Sequence, residues 1–336
     1  YMDMTVPELV TKLMKDSGYF QGYNIDFDQL GFSYPLREMV IQWKETDLQF
    51  IRRLLAEVGI WFRFENHDKV LAETVVIFGD GGRRYVFSDK KLPYVRNSGM
   101  TSHEEYVTGL EERYQLIPEN VLVRTYNYRD PLSPQADKTI TDNDIPDGIT
   151  RGKQYHYADH FLSEGDFYGQ EAETATFYAR LRYERLLNNQ SVLGLTTSDP
   201  ALLPGVMFNL TGDIPAGFKP GFVVTTMTLS GSRAEHYRAI LKGIPYLHGY
   251  SYRPDYLPRP VIAGTVPGRV AAINRDPTYA GVDAQGRYRV KFDFDLDEKR
   301  DGFESALMRL GRPYGGDVFG FHFPLLDGTE GAVAFE

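Results

Sequence analysis

One stretch of the chain, Glu45–Glu65, joins a helix to a strand with almost no connecting residues, which restricts the folds available to it. Thr46 is a good N-terminal cap, and Gln49 three residues later completes a capping box. Apolar residues then recur at helical spacing, at Phe50, Ile51, Leu54, Leu55 and Val58. This pattern predicts a helix over about 46–58 with one apolar face.

The same stretch predicts an abrupt turn into a strand. Gly59 stands where a left-handed C-terminal cap is expected. The residues that follow alternate with the period of a strand, Ile60, Phe62 and Phe64 against Trp61, Arg63 and Glu65. Helix and strand are both expected to pack in a core, and the corner carries no catalytic residue.

Composition favours a β-rich protein with more than one domain. A chain of 336 residues predicts two or three domains, and 14% aromatic residues with 32 Gly and 19 Pro favour strands and short turns. The absence of cysteine excludes disulfides, thiolate metal sites and a cysteine nucleophile. A net charge of −9 argues against a general nucleic-acid binder.

Two further helices are predicted, at about 5–16 and at about 164–189, the longer one with glutamates near its start and arginines near its end. No apolar run of 18 residues or more predicts a membrane span. The first residues are unlike a signal peptide, and we expect an upstream part to be missing.

The chain is expected to divide near its proline-rich stretch. Residues 1–250 form the first region, with strands around the three helices. Residues 251–260 contain several prolines and are predicted to be a semi-rigid linker. Residues 261–336 are predicted to form a small barrel, because short strands such as Arg287–Asp295 alternate strictly between apolar and charged side chains.

The motifs that could carry chemistry each have a structural explanation. Gly79–Arg84 contains half of a dinucleotide fingerprint, but a strand follows it, so a hairpin turn is predicted. Ser230, Ser232 and His236 lie close in sequence without a G-x-S-x-G elbow. His156 and His160 have the helical spacing of zinc ligands, with Asp159 between them, but two histidines cannot close a zinc site.

One basic strand face could bind a nucleic acid or a sugar. Arg287, Arg289 and Lys291 share one side of their strand, while the aromatic residues point to the other side. Aromatic rings on the opposite side cannot form a stacking platform beside these charges. A solvated or partner-facing strand is therefore the expectation, and the sequence predicts no catalytic, cofactor-binding or metal-binding residue.

Several blocks, in the same order, resemble the VgrG spike proteins of bacterial type VI secretion and the baseplate hubs of contractile phage tails. They are DMTVPELVTKLMKD, QWKETDLQFIRRLLAEVGIWFRFE, LLPGVMFNLTG, GFVVTTMTLSG, and AGTVPG followed by DAQGRYRVKFDFD. Phe294 stands where the family usually has tryptophan. The tail MRLGRPYGGDVFGFHFPLLDGTEGAVAFE resembles the next block of the family, from which 329–333 departs slightly.

The resemblance implies a mainly β fold, with β-barrel hub domains and packed helices followed by an OB-fold barrel. It implies a homotrimeric, non-enzymatic spike that caps a hexameric Hcp-like tube, contacts baseplate components and punctures target-cell envelopes. A β-helical needle, expected to be absent from this chain, would carry a PAAR-type tip protein and effectors. Assembly in the cytoplasm followed by export is implied, without cofactors or nucleic acid.

Two other interpretations remain open from the sequence. One is a phage baseplate hub associated with a cell-wall hydrolase. The other is a monomeric carbohydrate- or nucleic-acid-binding module that uses the small barrel.

Overall fold

The computed structural model describes residues 1–66, 73–96, 105–126, 138–141, 151–157, 161, 171–233, 237–272, 279–297, 303–316 and 319–335. The helices in this part of the chain are α1 Val6–Asp16, α2 Asp47–Val58 and α3 Ala175–Gln190. The strands are β1 Met2–Met4, β2 Ile25–Asp26, β3 Arg37–Met39, β4 Trp61–Asn66, β5 Thr74–Gly79, β6 Val86–Pro93, β7 Val107–Tyr114, β8 Asn120–Arg124, β9 Lys138–Thr141, β10 Lys153–Tyr157, β11 Ser191–Thr197, β12 Val206–Thr211, β13 Phe222–Ser230, β14 Arg238–Pro245, β15 Thr265–Ala271, β16 Arg287–Phe292, β17 Met308–Arg309 and β18 Glu330–Ala334. The mainly β class expected from the sequence is confirmed.

The first two helices begin where local capping dictates. The Thr46 backbone N–H donates to Gln49 Oε1 at 2.9 Å, and the Gln49 N–H donates back to Thr46 Oγ1 at 3.3 Å. Thr5 and Glu8 form the same reciprocal pair before α1. Both helices therefore lie within one residue of their predicted limits.

The end of α2 has the hydrogen bonds of a Schellman motif. The Gly59 N–H donates to Ala56 O at 3.2 Å and the Ile60 N–H to Leu55 O at 2.9 Å, while Gly59 has φ +72°. A Cβ at Gly59 would lie 2.5 Å from Leu181 Cδ2 of α3. Glycine is therefore needed here for its backbone conformation and for its lack of a side chain.

The third helix begins later than predicted. Residues 164–170 of the predicted span lie outside the described residues, and 171–174 are not helical. Glu173 has φ +61°, and Thr174 Oγ1 accepts the N–H of Phe177 at 3.3 Å. The prediction is thus wrong for 171–174, because Thr174 caps the helix and Glu173 has a non-helical backbone conformation just before it.

Six strands form a closed barrel in the order β6-β12-β13-β14-β11-β7. Closure comes from Tyr94, directly after β6, which forms a parallel bridge with Val107 at the start of β7. The Val95 N–H then donates to Val107 O at 2.9 Å. The interior is filled by buried residues that include Leu193, Phe208, Phe222, Val224 and Leu241.

Charged groups reinforce this closing seam. Lys90 of β6 lies 2.8 Å from Glu105, which precedes β7, and 2.8 Å from Asp199, which follows β11. The hydrogen bonds that Lys90 donates to Asp199 and then to Glu105 raise its pKa. The fully buried Asp199 carboxylate also accepts the Ala201 N–H at 2.8 Å, so its charge is compensated.

The predicted hairpin around Gly79–Gly82 does not form. β5 pairs with β2 and β4 in a separate three-stranded sheet, whereas β6 pairs with β12 in the barrel. The connection of Asp80–Tyr85 contains a 3-10 turn at Gly82–Arg84 and directs the chain from one sheet to the other. A two-residue hairpin turn would instead have returned β6 onto β5.

A second three-stranded sheet, β10-β8-β9, lies against α3. Val121 and Val123 of β8 are completely buried. β10 runs parallel to β8 and exposes Tyr155 and Tyr157 on the side away from these valines. Within the polar segment 133–153, the described residues 138–141 form β9.

The last sheet has the order β17-β16-β15-β18 and is antiparallel throughout. Alternation in β16 is as predicted, with Tyr288, Val290 and Phe292 buried. Before β16, Asp283 Oδ1 accepts the N–H of Gln285 and of Arg287, and its carboxylate pairs with the Arg287 side chain at 2.6 Å. These hydrogen bonds form the turn at Asp283–Gly286 that leads into β16.

The residues group into two compact units. A small unit comprises Tyr1–Leu9, Pro35–Phe50 and Pro258–Glu336, and a barrel unit comprises Val10–Tyr34 and Ile51–Leu257. The predicted domain limits at 250 and 261 stay a prediction. Among the described residues, no helix combines the length and apolar character that a membrane crossing requires.

Replacing Gly59 should destabilise the protein more than replacing a matched glycine. Gly18 also has positive φ, at +77°, but nothing lies within 4 Å of a Cβ built there. We expect Gly18→Ala to cost about 1 kcal/mol through backbone strain alone and Gly59→Ala to cost about 2–4 kcal/mol through strain plus overpacking. Urea unfolding followed by circular dichroism measures both, and equal losses would contradict the proposed clash with Leu181.

The Asp283 turn should weaken in acid. Although burial opposes its charge, hydrogen bonds from Arg287 and Gln285 lower the pKa of Asp283. Its stabilisation is therefore complete above about pH 4, the unfolded value, and is lost as pH falls through the lower folded pKa. We expect the difference in unfolding midpoint between wild type and Asp283→Asn to shrink over that range. A difference that stays constant down to pH 2 would refute this, with the exposed Asp293→Asn as control.

Candidate functional site

The structure does not have the helical spacing that suggested a zinc site at the two histidines. His156 lies on strand β10, so the helical spacing on which the hypothesis depended does not apply. His160 and Asp159 lie outside the described residues. In the part of the chain that the structure describes, no three His, Cys, Asp or Glu side chains converge on one metal position.

The serine motif lies at the edge of a shallow hollow. Leu229–Ser232 and Tyr237 line this hollow of about 550 Å³, and Ser230 Oγ donates to Arg238 O at 3.4 Å. His236 lies outside the described residues. A second hollow, of about 250 Å³, is lined by Tyr85, Tyr114, Tyr246 and Tyr250 without a charged side chain. Neither lining places a serine beside a base.

The basic face of β16 is largely engaged within its own unit. Arg287 pairs with Asp283, and Arg289 donates to Ser305 O and lies over the Phe303 ring, 5.7 Å from its centroid. Only Lys291 of the three cations is exposed. This arrangement leaves little free charge for a phosphate backbone.

The Gly79–Arg84 motif has a structural use that its sequence did not indicate. A Cβ at Gly79 would meet the Trp61 ring at 2.5 Å, so glycine permits this close packing. The Asp80 carboxylate accepts the N–H of Gly31 at 2.8 Å, the N–H of Phe32 at 3.0 Å and the hydroxyl of Tyr34 at 3.2 Å. Burial and the Asp80 charge hold the pKa of Tyr34 well above its usual value. Asp80 therefore ties the end of β5 to the 31–34 loop.

A buried ion pair joins this junction to α3. The side chains of Glu184 and Arg253 are 1% and 4% exposed, and Arg253 Nε donates to the Glu184 carboxylate. Arg180 Nε donates to the other Glu184 oxygen at 2.8 Å. Burial opposes the Arg253 charge, yet Glu184 keeps the pKa of this guanidinium raised. The pair is thus fully hydrogen-bonded on its acidic side.

Arg253 also reaches the helix-to-strand corner. Its Nη1 donates to Gly59 O at 2.9 Å and to Asp80 O at 2.7 Å. Arg185 of α3 donates to Ala56 O, another carbonyl at the end of α2. One cluster of arginines therefore satisfies carbonyls of α2, the corner and the end of β5. We call Asp80, Glu184 and Arg253, with the groups they bond, the junction network.

The segment predicted as a linker begins inside this network. Beyond Arg253, Arg185 Nε donates to Pro254 O at 2.8 Å, and Tyr256 packs against Arg182 and Arg185 at 5.1 and 5.7 Å. The Tyr252 N–H donates to Tyr85 Oη at 2.6 Å. Residues 253–256 are therefore held along α3, and Pro254 does not lie in a free spacer.

The exposed aromatic side chains of the described residues include three groups of neighbours. Phe62 and Phe64 face outward on β4, because Trp61 and Arg63 occupy its buried side. Tyr155 and Tyr157 are exposed on β10. In the small unit, Tyr314, Phe319, Phe321 and Phe323 contact one another and are each more than half exposed; we call these four the aromatic patch. Such surfaces are typical of assembly contacts.

Comparison with known families decides the identity of this architecture. The family model of the phage tail baseplate hub (GPD) matches residues 1–235. The chain belongs to the phage tail baseplate hub family. The α2 corner, α3 and five of the six barrel strands lie within the matched range, whereas β14 and Arg253 follow it.

Individual relatives point to type VI secretion. The chain is 24% identical over 343 residues to the spike protein VgrG4b of Pseudomonas aeruginosa, covering 95% of this chain and 40% of that protein. It is 22% identical over 335 residues to the spike protein VgrG3 of Vibrio cholerae, covering 95% and 31%. It therefore spans well under half the length of these VgrG relatives.

A solved hub structure matches the whole chain. The E. coli protein c3393, described as a type VI secretion component similar to the T4 tail proteins gp27 and gp5, aligns with a TM-score of 0.65 and 31% identity. The alignment covers 100% of this chain and 69% of c3393. The resemblance inferred from the sequence blocks is confirmed.

Removing one partner of the buried pair in this hub should be costly. Glu184→Gln leaves the Arg253 charge uncompensated in the interior, and we expect a loss of about 3–5 kcal/mol in the free energy of unfolding. Arg253→Met should cost a similar amount, and the double variant should cost clearly less than the two losses added. Urea unfolding of the four proteins provides the measurement.

An exposed pair supplies the control. Lys12 and Asp16 form an ion pair at 2.5 Å with side chains about half exposed, so Asp16→Asn should cost less than about 1 kcal/mol. If Glu184→Gln were no more harmful than Asp16→Asn, the junction network would not hold the hub together.

Proposed function

We propose that this chain is the hub and small-barrel part of a type VI secretion spike and works as a homotrimer at the end of the secreted tube. The alignment with c3393 over the full chain carries this proposal. The match of a hub family model to 1–235 and the similarity to VgrG spikes support it.

A mechanical role agrees with the internal construction. Driving a spike into a cell envelope loads the connections between secondary-structure elements, and here the α2–β4 and β5–β6 connections are short and hydrogen-bonded. The closed barrel has no unpaired strand in its sheet, and Arg253 bonds α3, the α2 corner and the end of β5 together. We propose that this region is non-enzymatic and uses no catalytic, cofactor-binding or metal-binding residue.

The partners follow from the same proposal. A hexameric tube protein and baseplate components would contact the hub, and the spike would be assembled in the bacterial cytoplasm before its export. A needle would connect the hub to a PAAR-type tip protein and to effectors.

The binding-module alternative receives little support, because Arg287 and Arg289 are engaged internally. Measurable cell-wall hydrolysis by this chain would favour the other alternative.

The trimer makes a direct prediction. One chain has a mass of 38.3 kDa, so light scattering after size exclusion should give about 115 kDa, three times that value, because closed ring symmetry consumes each contact surface. Dilution over a hundredfold range identifies the monomer by its lower mass. A species of about 38 kDa at every concentration would overturn the trimeric proposal.

A further inference from the structure

The hollow lined by four tyrosines is large enough for a small molecule. Its volume is about 250 Å³, and it is bounded by the end of α3, the ends of β7 and β14, and residues 246–251. All of these belong to the barrel unit. A protein cavity of about 150 Å³ already holds benzene, so this hollow has room for one or two rings. We call it the tyrosine hollow.

The lining of the tyrosine hollow favours neutral, apolar groups. Leu187 of α3, Val223 of β13 and Ile244 of β14 form apolar parts of its wall. No charged side chain occurs among the described residues that line it. A charged ligand would lose its hydration there without compensation, whereas an apolar ligand gains from leaving water.

The tyrosine rings are held in place from behind. Tyr85 stacks on Trp61 with ring centroids 5.7 Å apart, and Tyr246 meets the edge or face of Phe87 at 5.6 Å in a T-shaped arrangement. The Tyr246 N–H also donates to Gly221 O at 3.0 Å. Because these rings are already fixed, a ligand that packs against them has little side-chain ordering to oppose its binding.

One end of the tyrosine hollow offers a hydrogen-bond acceptor. The Glu112 carboxylate accepts the Gly217 N–H at 2.7 Å and the hydroxyl of Tyr114. A Cβ at Gly217 would lie 2.5 Å from Tyr114 Oη, so glycine makes room for this hydroxyl. Burial and then the Glu112 charge raise the pKa of Tyr114, which keeps the hydroxyl protonated. Since its proton is directed to Glu112, the Tyr114 oxygen can accept a hydrogen bond from a ligand.

The backbone of the wall favours a free small molecule over a segment of another protein. A bound peptide has to find partners for its own amide groups. Here the Tyr246 N–H is used by Gly221 O, and Gln190 O accepts the Gln115 N–H at 2.9 Å. A small ring with a single polar group does not need these partners.

We propose that the tyrosine hollow binds a small, neutral aromatic molecule of one or two rings that carries one N–H or O–H donor. Indole and phenol are the simplest members of this class. The ligand ring packs among the tyrosine rings, and its donor faces Tyr114 Oη. This inference does not depend on the proposed trimer, and it adds a ligand site to the hub.

A pair of matched ligands tests the polar end of the site. Equilibrium dialysis of the wild-type chain against indole should give a saturable Kd of about 0.1–1 mM, in the range expected for a ligand of this size. N-methylindole has the same rings without the donor, and it should bind about 3- to 10-fold more weakly. In Tyr114→Phe, whose altered side chain is more than half exposed, the two ligands should bind equally. A preference for indole that survives this substitution would overturn the assigned orientation, and no saturation below about 10 mM would overturn the site.

A pair of matched variants tests the location. Ile244→Trp fills the tyrosine hollow, whereas Ile240→Trp adds the same ring to the same outward side of β14, four residues away and outside the lining. We expect the first variant to weaken indole binding at least about 10-fold and the second to change it by less than about 2-fold. Circular dichroism verifies that both fold. Equal effects of the two variants, or an effect of neither, would overturn the assignment.

Light scattering on the same samples identifies a different occupant. If Ile244→Trp lowers the mass of the assembly and the wild type does not bind indole, a neighbouring subunit fills the tyrosine hollow and the ligand proposal is overturned. An unchanged mass with indole binding lost only in Ile244→Trp supports the proposal. A wild type that binds indole as a monomer refutes the trimer and leaves this inference standing.

Discussion

The buried pair of Arg253 and Glu184 is the constraint on which the barrel unit depends. A guanidinium placed in the interior must have its charge compensated and its donors satisfied, or the unit cannot fold around it. Glu184 supplies the charge, while Gly59 O and Asp80 O accept the remaining hydrogen bonds. These acceptors belong to elements far apart in sequence, so the helix, the corner and β5 reach their places together or not at all.

The closed barrel limits how this unit can contact other molecules. Its bridge at Tyr94 and Val107 pairs the two outer strands, which removes the edges through which a sheet can add a foreign strand. Contacts of the barrel sheet with other molecules must then use side chains, and exposed aromatic groups such as Phe87 on β6 and Tyr114 on β7 lie on its strands. A barrel whose strands are all paired, with aromatic side chains exposed on its surface, suits a protein that assembles in one geometry.

Sequence reasoning succeeded where the cause is local. The capping box of Thr46 and Gln49, the positive φ of Gly59 and the alternation of β16 depend on neighbours within a few residues. It failed where the partner is distant. Trp61 and Arg63 occupy the buried side of β4, where Arg63 Nη1 donates to Arg84 O at 2.9 Å. β5 and β6 join different sheets, and no periodicity encodes that choice.

Arg253 shows both effects, because the prolines of 251–260 predicted a semi-rigid linker while one buried guanidinium anchors residues 252–256. A well-packed apolar replacement of such a pair is often as stable as the pair itself, so stability alone does not explain its presence. Hydrogen bonds differ from apolar contacts in direction: Arg253 satisfies its acceptors in a single orientation, whereas a leucine would accept several. We infer that the pair fixes the angle between α3 and the α2 corner. In an assembly that repeats one subunit around an axis, an error in this angle is repeated in every subunit. A hydrogen-bonded ion pair that fixes the angle therefore has an advantage over an apolar contact of equal stability.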